Sequence, residues 1–112
     1  MKIAISSTGK DLNSQVSEIF GRCPYFIIVE VDDKKLGKFK AIENININQT
    51  AGVGISAVQM VAEENVTALI TGNIGPRALD VLKQFYIQPY KGTGLITKVI
   101  KNFVQGKLEE IK

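Results

Sequence analysis

The chain holds one thiol, Cys23, directly after a guanidinium, Arg22. A thiolate is a soft metal ligand, and a neighbouring cation favours the ionised form. Cys23 is therefore the candidate metal ligand, with Arg22 expected to lower its pKa. A second kind of chemistry belongs to five short segments rich in glycine and hydroxyl groups: Ser6-Ser7-Thr8-Gly9, Phe20-Gly21-Arg22-Cys23, Gly52-Val53-Gly54, Thr71-Gly72-Asn73-Ile74-Gly75-Pro76 and Lys91-Gly92-Thr93-Gly94. Three of them open helices, whose first-turn amides and partial positive charge attract anions. Arg22, Lys91 and Arg77 add formal positive charge, and Ser7, Thr8 and Thr93 add hydroxyls. Any one such segment is ordinary turn or cap chemistry. Five together point to an anionic ligand.

Other chemistries are excluded by residues the chain lacks. It contains no histidine, so no Ser-His-Asp or Cys-His arrangement exists, and one cysteine builds neither a disulfide nor the usual zinc site. Neither a P-loop nor a complete dinucleotide-binding glycine motif is present, and Gly52-Val53-Gly54 is only a fragment of the latter. Asp11, Asp32, Asp33 and Asp80 are scattered over turns and a helix, where two-metal phosphoryl chemistry requires a cluster. The net charge of +3 is dispersed and no basic stripe carries stacking aromatics, so no nucleic-acid partner is expected. No apolar run approaches the ~20 residues of a membrane helix, so no membrane partner is expected either. The start, Met1 to Ser6, is too short and too soon polar for a signal peptide; with a single cysteine this favours a cytoplasmic protein.

The loops need a scaffold. With 112 residues and 45% hydrophobic content, one domain spanning 1–112 and one core are expected. Residues 2–6 read as a buried first strand. Val16, Ile19 and Phe20 have a short helical spacing, with Asn13 or Ser14 as cap. Residues 25–31 are almost continuously apolar, as in a strand covered on both faces. A turn at 32–37 leads to a partner strand at 38–45, where Phe39 and Ala41 alternate with Lys38 and Lys40 as on a protected sheet edge. Then Ile55, Val58, Val61 and Ala62 repeat at helical spacing, and 67–71 is a short strand. Gly75-Pro76 opens a second helix with Ala78, Leu79 and Leu82 inward. Residues 86–89 form the last strand. Leu95, Ile96, Val99, Ile100, Phe103 and Val104 stripe a third helix, which Gly106 ends.

A hairpin followed by crossovers implies an α/β fold: a three-layer α/β/α sandwich whose five-stranded mixed sheet runs 3-2-1-4-5, strand 2 antiparallel to the rest. The five loop segments then gather at one sheet edge. The chain reverses its direction of travel across the sheet between strands 1 and 4, where open α/β sheets bind their ligands.

Ser6 with Gly9, Phe20-Gly21-Arg22 followed by Phe26, Gly52-x-Gly54 at a helix start, Gly72 with Gly75-Pro76, and Phe103-x-x-Gly106-x-Leu108 together resemble the dinitrogenase iron–molybdenum cofactor biosynthesis domain, over essentially the whole chain. The resemblance implies a ribonuclease H-like fold. It also implies binding, storage or delivery of an iron–molybdenum–sulfur or related metal–sulfur cluster, and a metal-cluster assembly or recipient protein as partner. Its motif residues fall on Phe20, Gly21, Arg22, Gly52, Gly54, Gly72, Gly75 and Pro76. Members that hold the cofactor are associated with histidine ligation near the glycine stretch, where this chain reads Gln49-Thr50-Ala51-Gly52-Val53-Gly54. The expected cofactor-binding set is Ser7, Thr8, Gly9, Phe20, Gly21, Arg22, Cys23, Gly52, Gly54, Gly72, Asn73, Gly75, Gly92 and Thr93, with Cys23 as metal ligand and no catalytic residue. The expected function is a non-enzymatic cluster carrier. Two other readings remain open: an adaptor that docks on a metal-assembly or redox partner, and a phosphate- or nucleotide-binding enzyme.

Overall fold

The computed structural model of the chain describes residues 1–32 and 35–112. The elements run β1 (Lys2–Ser7), β2 (Tyr25–Asp32), β3 (Lys35–Glu43), α1 (Val53–Ala62), β4 (Ala68–Thr71), α2 (Pro76–Gln84), β5 (Gln88–Lys91), α3 (Ile96–Val104) and β6 (Glu109–Glu110). They build one mixed sheet in the order β3-β2-β1-β4-β5-β6. β1, β4 and β5 are parallel neighbours, and β2 is antiparallel to both β1 and β3. The five expected strands therefore stand in the expected order. The sixth is an addition: Glu109 and Glu110 pair antiparallel with Lys91 and Tyr90. Two glutamates carry no apolar alternation, so a strand that short leaves no pattern to read.

The period-two alternation of the strands divides the core between the faces of the sheet. Ala4, Phe26, Ile28 and Leu69 pack with Ala57, Val58 and Val61 of α1 and with Ala78 and Leu82 of α2. Ile3, Ile5, Ile27, Val29 and Ile70 pack on the opposite face with Ile96, Val99 and Ile100 of α3. This is the expected three-layer arrangement. None of the helices is long and apolar enough to cross a membrane, among the described residues.

The expected helix at Val16, Ile19 and Phe20 is not formed. Val16 enters the α3-side core and Phe20 the α1/α2-side core, so the segment crosses over the edge of the sheet. A helix would place both residues on one face. The backbone bonds to β1 and to neighbouring loops instead: Val16 N–H to Gly94, Ser17 N–H to Ser6 and Phe20 N–H to Asn73. Several boundaries also move. β3 begins at Lys35 rather than 38, and residues 33 and 34 of the expected turn lie outside the described residues. β4 begins at Ala68, and β5 runs 88–91 rather than 86–89. Tyr86 belongs to the end of α2, at φ 59°, where Ile87 N–H reaches Leu82 O and Tyr86 N–H reaches Lys83 O. That is the same left-handed closure Gly106 makes after α3, but at Gly106 the residue type announces it.

Candidate functional site

The first turn of α1, the first turn of α2 and the turn at residues 19–22 enclose a crevice of about 620 Å3 at the loop edge. Its walls are Ile19, Phe20, Gly21 and Arg22, then Gly52, Val53, Gly54 and Ile55, then Gly75, Pro76, Arg77 and Ala78. The Phe-Gly-Arg turn owes its position to each of its residues. Phe20 is 1% exposed and packs its ring 5.5 Å from that of Phe26, anchoring the turn in the core. At Gly21 a β-carbon would lie 3.1 Å from Gly54 Cα, so glycine lets the turn lie against α1 where a larger residue would push the two apart by a few tenths of an ångström. Gly54 in turn lets Ala78 approach, since a β-carbon there would lie 3.2 Å from Ala78 Cβ. The two helix starts are thereby brought side by side.

Both starts are left open. No side chain caps either helix, and neither first turn carries an acidic residue. Among the described residues, the amides of Val53, Gly54, Ile55, Arg77 and Ala78 donate to no protein acceptor. Gly52 turns the chain into α1 at φ 72°. Gly75 is different: φ −71°, ψ 160° suits any residue, and a β-carbon would meet nothing within 4 Å. Neither backbone nor packing requires glycine at 75, so the space beside its Cα is open to a ligand.

The electrostatics are one-signed. Two helix N-termini contribute partial positive charge, and Arg22 and Arg77 contribute full charges, with no carboxylate in the lining. Arg22 donates through Nη1 to Ile47 O at 2.8 Å and through Nη2 to Gln49 O at 3.0 Å. Its five donors leave others for a ligand. Arg77 makes no ion pair among the described residues, where the single salt bridge is Lys40–Glu64.

Phe20, Gly21, Arg22, Gly52, Gly54 and Gly75 are the expected site residues that meet here. The others do not line the crevice. Ser7 is wholly buried and bonds locally to Gly9; Thr8 closes a turn with Gln15. Gly92 packs between Ile70 and Val99 on the α3 side, beside the exposed Thr93. Gly72 lies against the Glu18 backbone, and Asn73 serves through its carbonyl as acceptor for Phe20 N–H. Ile19, Val53, Ile55 and Ala78 are lining residues that the motifs did not single out. Ile19 was assigned to a helix stripe but is 61% exposed. Its adjacency to Phe20-Gly21-Arg22 was the available signal.

Cys23 requires a correction. It is fully buried and faces the α1/α2-side core. Burial pushes its thiol from the ordinary 9.0 up to about 12, only partly offset by backbone hydrogen bonds from Ser7 and Cys23. Arg22 does not lower it, because its guanidinium turns outward to Ile47 and Gln49. A protonated core thiol is a small hydrophobe rather than a ready ligand. Among the described residues no group of three or more His, Cys, Asp or Glu assembles to hold a metal ion.

The sequence profile of the family described as "Dinitrogenase iron-molybdenum cofactor" matches residues 1–106. The chain belongs to this family. It is 40% identical to the uncharacterized protein MJ0580 of Methanocaldococcus jannaschii, across 100% of this chain and 92% of that protein. A Thermotoga protein provisionally described as a NifB protein is 36% identical and superposes with a TM-score of 0.82, covering 97% of this chain and 91% of that one. The apo form of the orange protein from Desulfovibrio gigas has the same fold, with a TM-score of 0.89 at 24% identity over 98% of this chain and 92% of that one.

Proposed function

We propose that the protein is a carrier that takes an intact anionic metal–sulfur cluster as cargo into the crevice between α1 and α2 and passes it to an assembly or recipient protein. The observation that carries this reading is the pair of uncapped helix starts opening into one crevice whose lining holds two arginines and no carboxylate. An anion there gains charge-assisted hydrogen bonds that are stronger than neutral ones. Ile19, Val53, Ile55 and Pro76 supply apolar contact, which suits a large, weakly hydrated sulfide surface better than a compact, strongly hydrated phosphate.

The same lining limits the kind of cluster. It contains no thiolate, imidazole or carboxylate, so a cluster needing protein ligands on its metals does not fit. One whose metals are already saturated by sulfide does. Such cargo enters and leaves whole, without breaking a metal–protein bond. Nothing in the lining is a general base or a nucleophile, which supports a carrier rather than an enzyme. Membership of the iron–molybdenum cofactor family supports the cargo class.

The test is anaerobic incubation with iron, molybdate and sulfide, desalting, and measurement of retained metal. Near-stoichiometric metal is expected in the native protein and in Cys23→Ser. An Arg22→Ala/Arg77→Ala double variant is expected to retain about tenfold less. Loss in Cys23→Ser with full retention in the double variant would place the cargo elsewhere.

A further inference from the structure

Between β3 and α1 the chain passes through a turn-rich strap, residues 44–51, which is tied to the crevice walls at several points. Asn44, only 2% exposed, donates through Nδ2 to Gly21 O and to Cys23 O, both at 2.9 Å. Arg22 returns the tie by donating to Ile47 O and Gln49 O. Gln49 Oε1 accepts from Ser56 Oγ on α1 at 2.9 Å. Within the strap Ile47 N–H bonds to Asn44 O and Gln49 N–H to Asn46 O, and Ile45 is left 77% exposed. Arg22 thus belongs to two structures at once: it lines the crevice and holds the strap's carbonyls.

We infer that the strap is a ligand-responsive segment, in which an anion in the crevice fixes Arg22 and Arg22 fixes residues 46–49. The inference rests on the crevice being the anion site. A guanidinium held by two carbonyls retains donors in the same plane, so an anion and the strap bind it together rather than in competition. Each contact that immobilises the side chain lowers the entropy still to be lost by the other, which couples the two sites reciprocally. The strap with its outward Ile45 then differs in order between the loaded and empty carrier.

The experiment is amide hydrogen exchange on the full chain with and without saturating tetrathiomolybdate, a soluble metal–sulfur anion. In the native protein, exchange at Asn46–Gln49 is expected to slow about fivefold, together with exchange at Val53–Ile55. At saturating probe, Arg77→Ala is expected to keep the slowing at Asn46–Gln49, and Arg22→Ala to lose it while Val53–Ile55 still respond. Protection of Val53–Ile55 without any change in the native strap would overturn the coupling alone. Strap protection that survives Arg22→Ala would overturn Arg22 as its route. No protection at either segment would overturn the crevice reading and the coupling with it.

Discussion

Two glycine-rich loop clusters share one edge of the sheet, and they are arranged differently. On the α3 side, Thr8 N–H bonds to Gln15 O, Gln15 N–H to Thr8 Oγ1, Val16 N–H to Gly94 O, Ile96 N–H to Ser14 O and Gly92 N–H to Thr71 O. That cluster bonds largely to itself, although Thr93, Gly94, Leu95 and Thr97 leave their amides without a protein acceptor among the described residues and no side chain caps α3. On the α1/α2 side, Gly52–Ile55 and Gly75, Arg77 and Ala78 leave their amides open around a crevice. The residue types are nearly the same, so composition does not identify an anion site. What sets the α1/α2 side apart is that two uncapped helix starts open into one crevice whose lining holds two arginines and no carboxylate, where an orphan N–H must find a partner in water or in a ligand.

The sharpest way to break the comparison is to close the open side from within. Asp at position 75 has an N-cap backbone conformation and free space for its side chain, so it caps α2 and occupies the amides an anion would use. Gly75→Asp is expected to abolish cluster retention, by about tenfold or more. Its stability, measured by urea denaturation, should be unchanged or higher by a few tenths of a kcal/mol. A capped variant that still loads normally would show that the amides are not the site.

A smaller effect separates packing glycines from open ones. At Gly92 a β-carbon would lie 2.6 Å from Ile70 Cγ2 and 3.3 Å from Val99 Cγ1, so Gly92→Ala overpacks the α3-side core. It is expected to destabilise by about 1–3 kcal/mol in denaturant titrations. Gly75→Ala, with nothing to meet, should stay within about 1 kcal/mol of the native protein. Equal losses would mean that position 75 is constrained after all.

The smallest change tests the closed side. Thr8→Ala removes the acceptor of Gln15 N–H and should lower stability by about 1 kcal/mol. Retained metal should stay within about twofold of the native protein, inside the spread of a surface substitution remote from the site. A large drop in loading would return Ser7, Thr8 and Gly9 to the binding set.

Sheet order was legible in the residues because β1, β2 and β4 each carry a run of apolar side chains and each crossover carries a helical stripe. Ile96, Val99 and Ile100 on α3 are the clearest instance. The stretch from Thr8 to Phe20 was not legible. Its apolar residues have helical spacing by coincidence, and their destinations on opposite faces of the sheet exist only once the sheet does. At the site, Phe20-Gly21-Arg22, Gly52-x-Gly54 and Gly75-Pro76 were visible as motifs. Ile19 and Ile55 were not, since an apolar residue in a crevice wall has the same pattern as one in a core.

By itself, then, the sequence determined the order of the first five strands, the two helical layers, the starts of α1 and α2 and the absence of histidine from any site. These follow from periodicity and residue type, which act over a few neighbours. Tertiary structure decided which glycine loops stay open and that Cys23 is buried with a thiol near pKa 12. It also decided that Arg22 braces residues 47 and 49 instead of serving the thiol beside it. Each of those depends on partners distant in sequence, and burial and hydrogen-bond satisfaction are properties of the assembled neighbourhood rather than of the residue.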